Sequence, residues 1–414
     1  FAEIGIAMPV MMVLAEWHWR RTGDAASLEL AKRWAKGVAV LFAVGAVSGT
    51  VLSFELGLLF PKFMEFAGAI IGIPFSLEGF AFFTEAIFLG LYLYGWDKLS
   101  ARAHMAAGVV VAVSGAASAV FVVMVNAWMN APTGITVAEG KIIHFDALAG
   151  MQSPVAFSQI LHMLLAAYAA TGLAVAGLHA GMILRGGPLN FHRRALIIAL
   201  MVGAPAAIVQ PISGDLSARV VARTQPVKLA AMEGQFETER GAPLRIGGWP
   251  DAEAAETRYA LEIPKALSFA AYGDPNAEVK GLKAFPREDW PPVPPVHFGF
   301  QIMVGLGTAM ALVSLWASIA ARSKKRDGIA GNRRLLQALV IVAPFGFIAT
   351  EAGWVVTEVG RQPWAIQGLV RTADAVSPMP GLIVPLVVFT VLYLTLGAIV
   401  IALMTAMMRE TERV

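Results

Sequence analysis

Five residues stand where ordinary packing does not account for them. Glu78 and Glu85 lie seven residues apart in one apolar run. Seven residues is about two helical turns, so both carboxylates face the same way on a helix. His162 and Met303 open two further apolar runs. Glu351 closes another, apolar from Leu335 onward except for Gln337. A carboxylate inside a lipid-spanning helix is costly and marks a functional site by default. It requires a partner, a proton or a metal. An imidazole and a thioether at matching depth can take the two faces of a haem iron, which then carries electrons and has no open site. A carboxylate such as Glu351 suits a five-coordinate iron with one face open to a small molecule. Each residue also has a plainer use. A Met in an apolar helix usually packs, a His near a span end usually hydrogen-bonds or snorkels, and Glu55 reads as an interface residue.

The elements that must position these residues are membrane spans. The chain has 414 residues, 57% hydrophobic and 15% charged, with a mean hydropathy of +0.65; a soluble domain is about 25% charged. There is no cysteine, which excludes disulfides, zinc–thiolate sites and iron–sulfur clusters. The net charge of +3 is small and points to no nucleic-acid partner. The expected fold is an all-α polytopic membrane protein of about nine transmembrane helices, at about 20 apolar residues per crossing. The spans fall near 1–17, 36–58, 75–95, 106–128, 155–183, 194–213, 297–321, 335–357 and 380–407. Three segments follow: 1–213 with six spans, a loop at 214–296, and 297–414 with three spans. Phe1 leads straight into an apolar run, so the sequence is read as starting inside its first span.

Basic residues alternate between the loops. Arg20, Arg21, Lys32, Arg33, Lys98, Arg102, Arg185, Arg193, Arg194, Arg322, Lys324, Lys325, Arg326, Arg333 and Arg334 fall in one set, and few fall in the other. The positive-inside rule then places the N-terminus in the periplasm and the Arg409–Arg413 tail in the cytoplasm of a bacterial inner membrane. The loop at 214–296 is polar, mixes charges of both signs, ends in Pro291–Pro295 and shows no clear strands. Such a long loop is usually a functional lid or a linker. Taken alone, Lys228 and Glu233 within it read as a solvated charge pair.

Longer motifs add to this. Glu351-Ala352-Gly353-Trp354 followed by Gly360-Arg361-Gln362-Pro363-Trp364 resembles the signature of subunit I of cytochrome bd-type quinol oxidases. So do Asn126-Ala127-Trp128-Met129-Asn130-Ala131-Pro132, Tyr94-Gly95-Trp96-Asp97 and Lys228-Leu229-Ala230-Ala231-Met232-Glu233. The matches run in family order from the first span to the last. The short loop and Phe300-Gln301-Ile302-Met303 look closer to the cyanide-insensitive branch.

The resemblance implies a role for each residue. His162 and Met303 would hold a low-spin haem b, and Glu351 a high-spin haem b. Lys228 and Glu233 match the pair that oxidises quinol, with ubiquinol as the expected substrate. Glu78 and Glu85 match acidic residues of the proton route. Trp354 would neighbour the haems, and Arg361 would reach propionates or loop carboxylates. A further haem, d or b, would use a first-span His that aligns just before Phe1, so a chain made as written is expected to lose or weaken that haem. Two departures stand out: the Glu78–Glu85 spacing is one residue shorter than in enteric relatives, and Gln301 replaces an Arg near the low-spin haem. Expected partners are a subunit II in a membrane heterodimer, with room for a small accessory subunit, together with quinol, O2 and membrane lipid. The implied activity is quinol oxidation at the periplasmic loop and reduction of O2 to water, building a proton motive force without a pump. The competing reading is a proton-coupled transporter or channel built on the intramembrane glutamates. It explains the glutamates but not His162 and Met303.

Overall fold

The structure is a computed structural model that describes residues 2–138, 141–322 and 328–412. Phe1, Lys324, Lys325, Arg326 and Arg413 lie outside the described residues. Thirteen helices occur among the described residues. They are α1 (Ala2–Thr22), α2 (Ala25–Leu59), α3 (Pro61–Tyr94), α4 (Ala101–Asn130), α5 (Ala147–Met151), α6 (Ala156–Leu184), α7 (Leu189–Thr224), α8 (Pro226–Glu233), α9 (Ala266–Tyr272), α10 (Val293–Ala321), α11 (Arg333–Val342), α12 (Phe345–Glu358) and α13 (Ile383–Glu412).

Among the described residues, eight segments are long and apolar enough to cross a membrane: α2, α3, α4, α6, α7, α10, α11 with α12, and α13. The mostly helical, multi-span architecture matches the expected class. The expected first span is a 21-residue helix, α1, but it falls outside this set. Glu3 and Glu16 interrupt it and Arg20 and Arg21 end it, so its uninterrupted apolar stretch is short. The expected eighth span is two helices. Pro344 separates α11 from α12, as expected of a ring that lacks an N–H donor and clashes with the preceding turn. The helix that holds the sixth span runs past residue 213. Helix α7 continues to Thr224, because hydropathy falls before helical structure does.

The bundle is close-packed at small residues. At the α6–α7 crossing, a Cβ on Gly172 would come within 2.4 Å of the Gly203 Cα. The backbones therefore touch directly, as small residues allow between membrane helices. A continuous core follows from this contact, with Leu173, Ala176, Leu196 and Ala199 buried beside Met11, Met12 and Leu339.

The connections gather at two ends. At one end, Arg194 Nε bonds Asp24 Oδ2 at 2.9 Å, and Trp19 meets Trp96 edge-on at 6.2 Å. At the other end, the loop after α7, the segment after α4 and the segment after α12 meet. Gln225 reaches Asn130 O at 3.0 Å, and Gln367 N donates to Met129 O at 2.9 Å. The loop itself carries short strands, where the sequence shows none clearly. Three antiparallel pairs nest inside one another: β3 (Glu239–Arg240) with β8 (Glu278–Val279), β4 (Leu244–Ile246) with β7 (Leu261–Ile263), and β5 (Trp249–Asp251) with β6 (Glu256–Arg258). Strands of two or three residues are too short to show a period-2 pattern in the sequence. β1 (Ile135–Ala138) and β2 (Lys141–Phe145) form a separate hairpin after α4.

The α6–α7 contact yields a direct test. Gly203→Ala would place a methyl 2.8 Å from Gly172 backbone, an overpacking that costs about 1–3 kcal/mol. Gly49→Ala meets nothing within 4 Å. Thermal unfolding in detergent is expected to show a lower Tm for the first variant and an unchanged Tm for the second.

Candidate functional site

The site at the loop end is built around α8. This eight-residue helix starts at Pro226, a residue preset for a first turn, and ends at Gly234 with a φ of +61°. Lys228 and Glu233 lie on it. They are not a solvated pair: each is only 3% exposed. The Lys228 amine donates to Asn130 Oδ1 at 2.6 Å and to Thr357 O at 3.3 Å. Gln225 Nε2 donates to the same Asn130 Oδ1 at 3.1 Å. Asn130 Nδ2 in turn donates to Asn126 Oδ1 at 2.9 Å, and Arg361 Nη1 donates to that oxygen at 3.2 Å. Arg361 Nη2 closes the file on Glu358 Oε2 at 2.5 Å.

Burial shifts both titrating groups of α8 toward neutrality. The Lys228 amine is pushed down to about 7, first by burial and then by the positive charge of Arg361, with Glu358 opposing. The Glu233 carboxyl is pushed up to about 8 by burial, with Arg245 opposing. Glu233 Oε2 is buried with no hydrogen-bond partner among the described residues. Two groups able to exchange protons near neutral pH, one with a free acceptor atom, form a proton-handling site.

His162 lies on α6 against α7. Its Nδ1 is 3.0 Å from Ser213 Oγ, and the Ser213 hydroxyl donates its single proton to Gln210 O at 2.8 Å. With Nδ1 donating to Ser213, Nε2 carries no proton and is the acceptor side of the ring. The Gln210 amide rests 3.2 Å from Nε2 and also donates to His162 O at 3.1 Å. Met303 lies on α10 against α12. A Cβ on Gly353 would come 3.1 Å from its Sδ, and a Cβ on Gly214 would come 3.5 Å from His162 Cε1. Each of the two donor groups thus sits against a glycine of a neighbouring helix. The contacts α6–α7, α7–α10, α10–α12 and α12–α6 place both on one four-helix group. An unprotonated imidazole nitrogen, covered here by the Gln210 amide, and a thioether are donor types that a low-spin haem takes.

Helix α12 carries Glu351, Trp354 and Glu358. Glu351 is exposed beside Thr350, and the Glu3 side chain of α1 reaches Thr350. Trp354 is 39% exposed. Arg361, just past the helix, is buried, and its Nε has no partner among the described residues. A guanidinium with a spare buried donor suits an anionic group such as a propionate. Glu78 and Glu85 both face α4. Ser118 Oγ donates to Glu78 Oε1 at 3.1 Å, and Gly115, one turn before it, leaves room for Glu85, whose oxygens would lie 3.3 Å from a Cβ there. Gln301 uses its amide on the loop, accepting from Gly247 N at 3.1 Å and donating to Arg245 O at 2.9 Å.

The sequence singles out neither Gln225 nor Ser213, and it assigns no role to Asn130 or Glu358. Asn126 and Asn130 did carry a signal: two amides four residues apart, at the end of an apolar run, lie on one helix face.

A bundle of apolar spans, a buried Lys–Glu pair at one end, and an imidazole and a thioether on one four-helix group are what a membrane-embedded redox protein would need. The description "cytochrome bd terminal oxidase subunit I" matches residues 1–412. A Bacillus subtilis protein named as a candidate cytochrome bd menaquinol oxidase subunit I is 38% identical, over 97% of this chain and 91% of its own length. The Bacillus subtilis cytochrome bd ubiquinol oxidase subunit 1 is 31% identical, over 97% and 88%. The solved bd oxidase from Geobacillus thermodenitrificans superposes with a TM-score of 0.92 at 35% identity, covering 99% of this chain and 94% of that one. The chain belongs to the cytochrome bd terminal oxidase subunit I family, whose members are quinol-oxidising terminal oxidoreductases. The transporter reading, which rests on the glutamates alone, gives way to this membership.

The raised Glu233 carboxyl has a consequence for stability. Between its ordinary value of 4.5 and about 8, the folded chain holds a proton that the unfolded chain has released. That contribution is fully present below about 4.5 and lost as pH rises through about 8. Lys228 acts oppositely, adding stability as pH rises from about 7 toward 10.5. Between pH 5 and 7, Glu233→Gln is expected to flatten the fall of Tm with pH. Wild type and variant falling in parallel would contradict the assignment.

Proposed function

We propose that this chain is the haem-bearing subunit of a bacterial inner-membrane oxidase that oxidises quinol at the loop end of the bundle and delivers its electrons for reduction of O2 to water. The observation that carries the reading is the buried pair on α8: Glu233 with a free acceptor oxygen, and Lys228 with an amine near neutrality. A quinol must shed two protons as it gives up two electrons. Glu233 holds a proton below about 8, so it takes one from quinol at its free oxygen once it has passed its own outward. Lys228, partly unprotonated at neutral pH, accepts the second at its amine lone pair. Ubiquinol and menaquinol, the substrates in the relatives' names, are the quinol classes to which this applies.

Haem, when bound, supplies the one-electron steps that link a two-electron donor to a four-electron acceptor. His162 Nε2 and Met303 Sδ would hold the low-spin haem b, and a carboxylate of α12, Glu351 by the family motif, the high-spin haem b. Trp354 would pack beside them. Arg361 would bond a propionate through its free Nε. A third haem, d or b, would take the family's first-span His. The reach of Glu3 to Thr350 supports this, since it brings the start of α1 beside Glu351. Glu78 and Glu85 carry protons inward from the opposite face. Protons released on one face and consumed from the other separate charge without a pump. The basic loops support a cytoplasmic position for the Arg20–Arg33 end and a periplasmic one for the α8 end. A subunit II in a heterodimer, with room for a small accessory subunit, would complete the enzyme.

Two experiments test the assignments. In reduced-minus-oxidised spectra of the intact complex, Met303→Leu is expected to abolish the low-spin signal, and Met129→Leu to retain it. Retention in both would remove Met303 as a ligand. For the α12 carboxylate, Glu351→Ala is expected to lose high-spin haem by pyridine haemochrome analysis. Loss in Glu358→Ala with retention in Glu351→Ala would move the ligand two turns along the helix.

A further inference from the structure

His297 lies on the first turns of α10 and is fully buried. Its two ring nitrogens face backbone carbonyls from separate parts of the loop. Nδ1 is 2.8 Å from Met232 O and Nε2 is 3.0 Å from Gly247 O. Met232 immediately precedes Glu233. The last carbonyls of a helix have no partner within it. On α8, Ala230 O accepts from Gln235 N at 2.8 Å and Ala231 O from Gly234 N at 3.3 Å. Met232 O faces the imidazole of another helix, whose single N–H in the neutral ring donates either here or to Gly247 O. The fit is tight, since a Cβ on Gly234 would come 3.4 Å from Nδ1.

One turn further along α10, Gln301 holds Gly247 N and Arg245 O. His297 and Gln301 therefore form a clasp, four residues apart on one helix face. It ties the end of α8 and the β4 segment to the helix that carries Met303. Arg245, on β4, is the positive charge that opposes the effect of burial at Glu233. Among the described residues the Glu233 side chain makes no hydrogen bond, so its direction depends on the backbone on either side of it.

We infer that His297 is a positioning residue for quinol oxidation: its two carbonyl contacts fix where the Glu233 carboxyl faces the quinol. The inference rests on the reading of Glu233 as proton acceptor. A misplacement of about 1 Å can cost about a hundred-fold in rate, so the effect falls on turnover more than on the amount of protein folded.

The test uses the complex with its partner subunit and compares His297→Ala, His297→Gln and Glu233→Gln. Steady-state quinol oxidation is measured beside reoxidation by O2 of the dithionite-reduced complex, which bypasses the loop. His297→Ala is expected to lower kcat/KM for quinol at least about ten-fold, with normal haem spectra and normal reoxidation. His297→Gln retains one donor and is expected to recover part of the loss. Wild-type kcat and KM in His297→Ala, with Glu233→Gln inactive, would overturn the inference and leave the reading of Glu233 standing. An active Glu233→Gln would overturn that reading itself. Altered haem spectra in both His297 variants would assign the residue to the scaffold and overturn its positioning role.

Discussion

The Lys228 amine and Asn130 Oδ1, 2.6 Å apart, make the contact on which the loop end of the molecule depends. An ammonium taken out of water is costly unless it is partnered. Here the partner is an amide oxygen, which leaves no buried counter-charge on the amine itself. Asn130 can serve because Asn126 and Gln225 hold it in place. Asn126 in turn accepts from Arg361, which pairs with Glu358. A single file of hydrogen bonds therefore runs from the proton-handling helix α8 to the end of α12. Removing one member leaves a neighbour buried and unpaired, the expensive outcome for a polar network.

The bundle behind this file serves a different requirement. Donor groups such as His162 and Met303 need neighbours that hold them without crowding them. Ser213 fixes the imidazole tautomer, and glycines at 214 and 353 keep side chains away from the ring and the sulfur. The same economy of size brings α6 and α7 into backbone contact at Gly172 and Gly203. Close packing of rigid helices keeps such distances fixed, whereas the nested strands of the loop close over α8 and are secured to α10 by His297 and Gln301.

The class of fold was legible because lipid imposes a simple rule: long apolar helices must satisfy their own backbone. Where the rule weakened, so did the reading. Helix α1 carries too many charges to register as a span. The break at Pro344 lies inside an apolar stretch that hydropathy reads as continuous. The loop strands pair residues up to forty positions apart, from Glu239 to Val279, and no local pattern announces such a pairing. At the site, Glu78, Glu85 and Glu351 stood out by cost alone, while Lys228 and Glu233 looked solvated because their burial comes from distant segments. Asn130 and His297 were overlooked because their contacts cross about a hundred and about sixty residues of sequence, to Lys228 and Met232.

The central claim is that electrons enter at the α8 pair and reach haem held behind it. Anaerobic mixing of the purified complex with quinol, followed in the Soret band, tests it most directly. The account predicts reduction of a low-spin haem b to the extent reached with dithionite, and marked slowing of that reduction in Glu233→Gln. A complex without a Soret band, or one reduced by quinol equally fast in both forms, would contradict it.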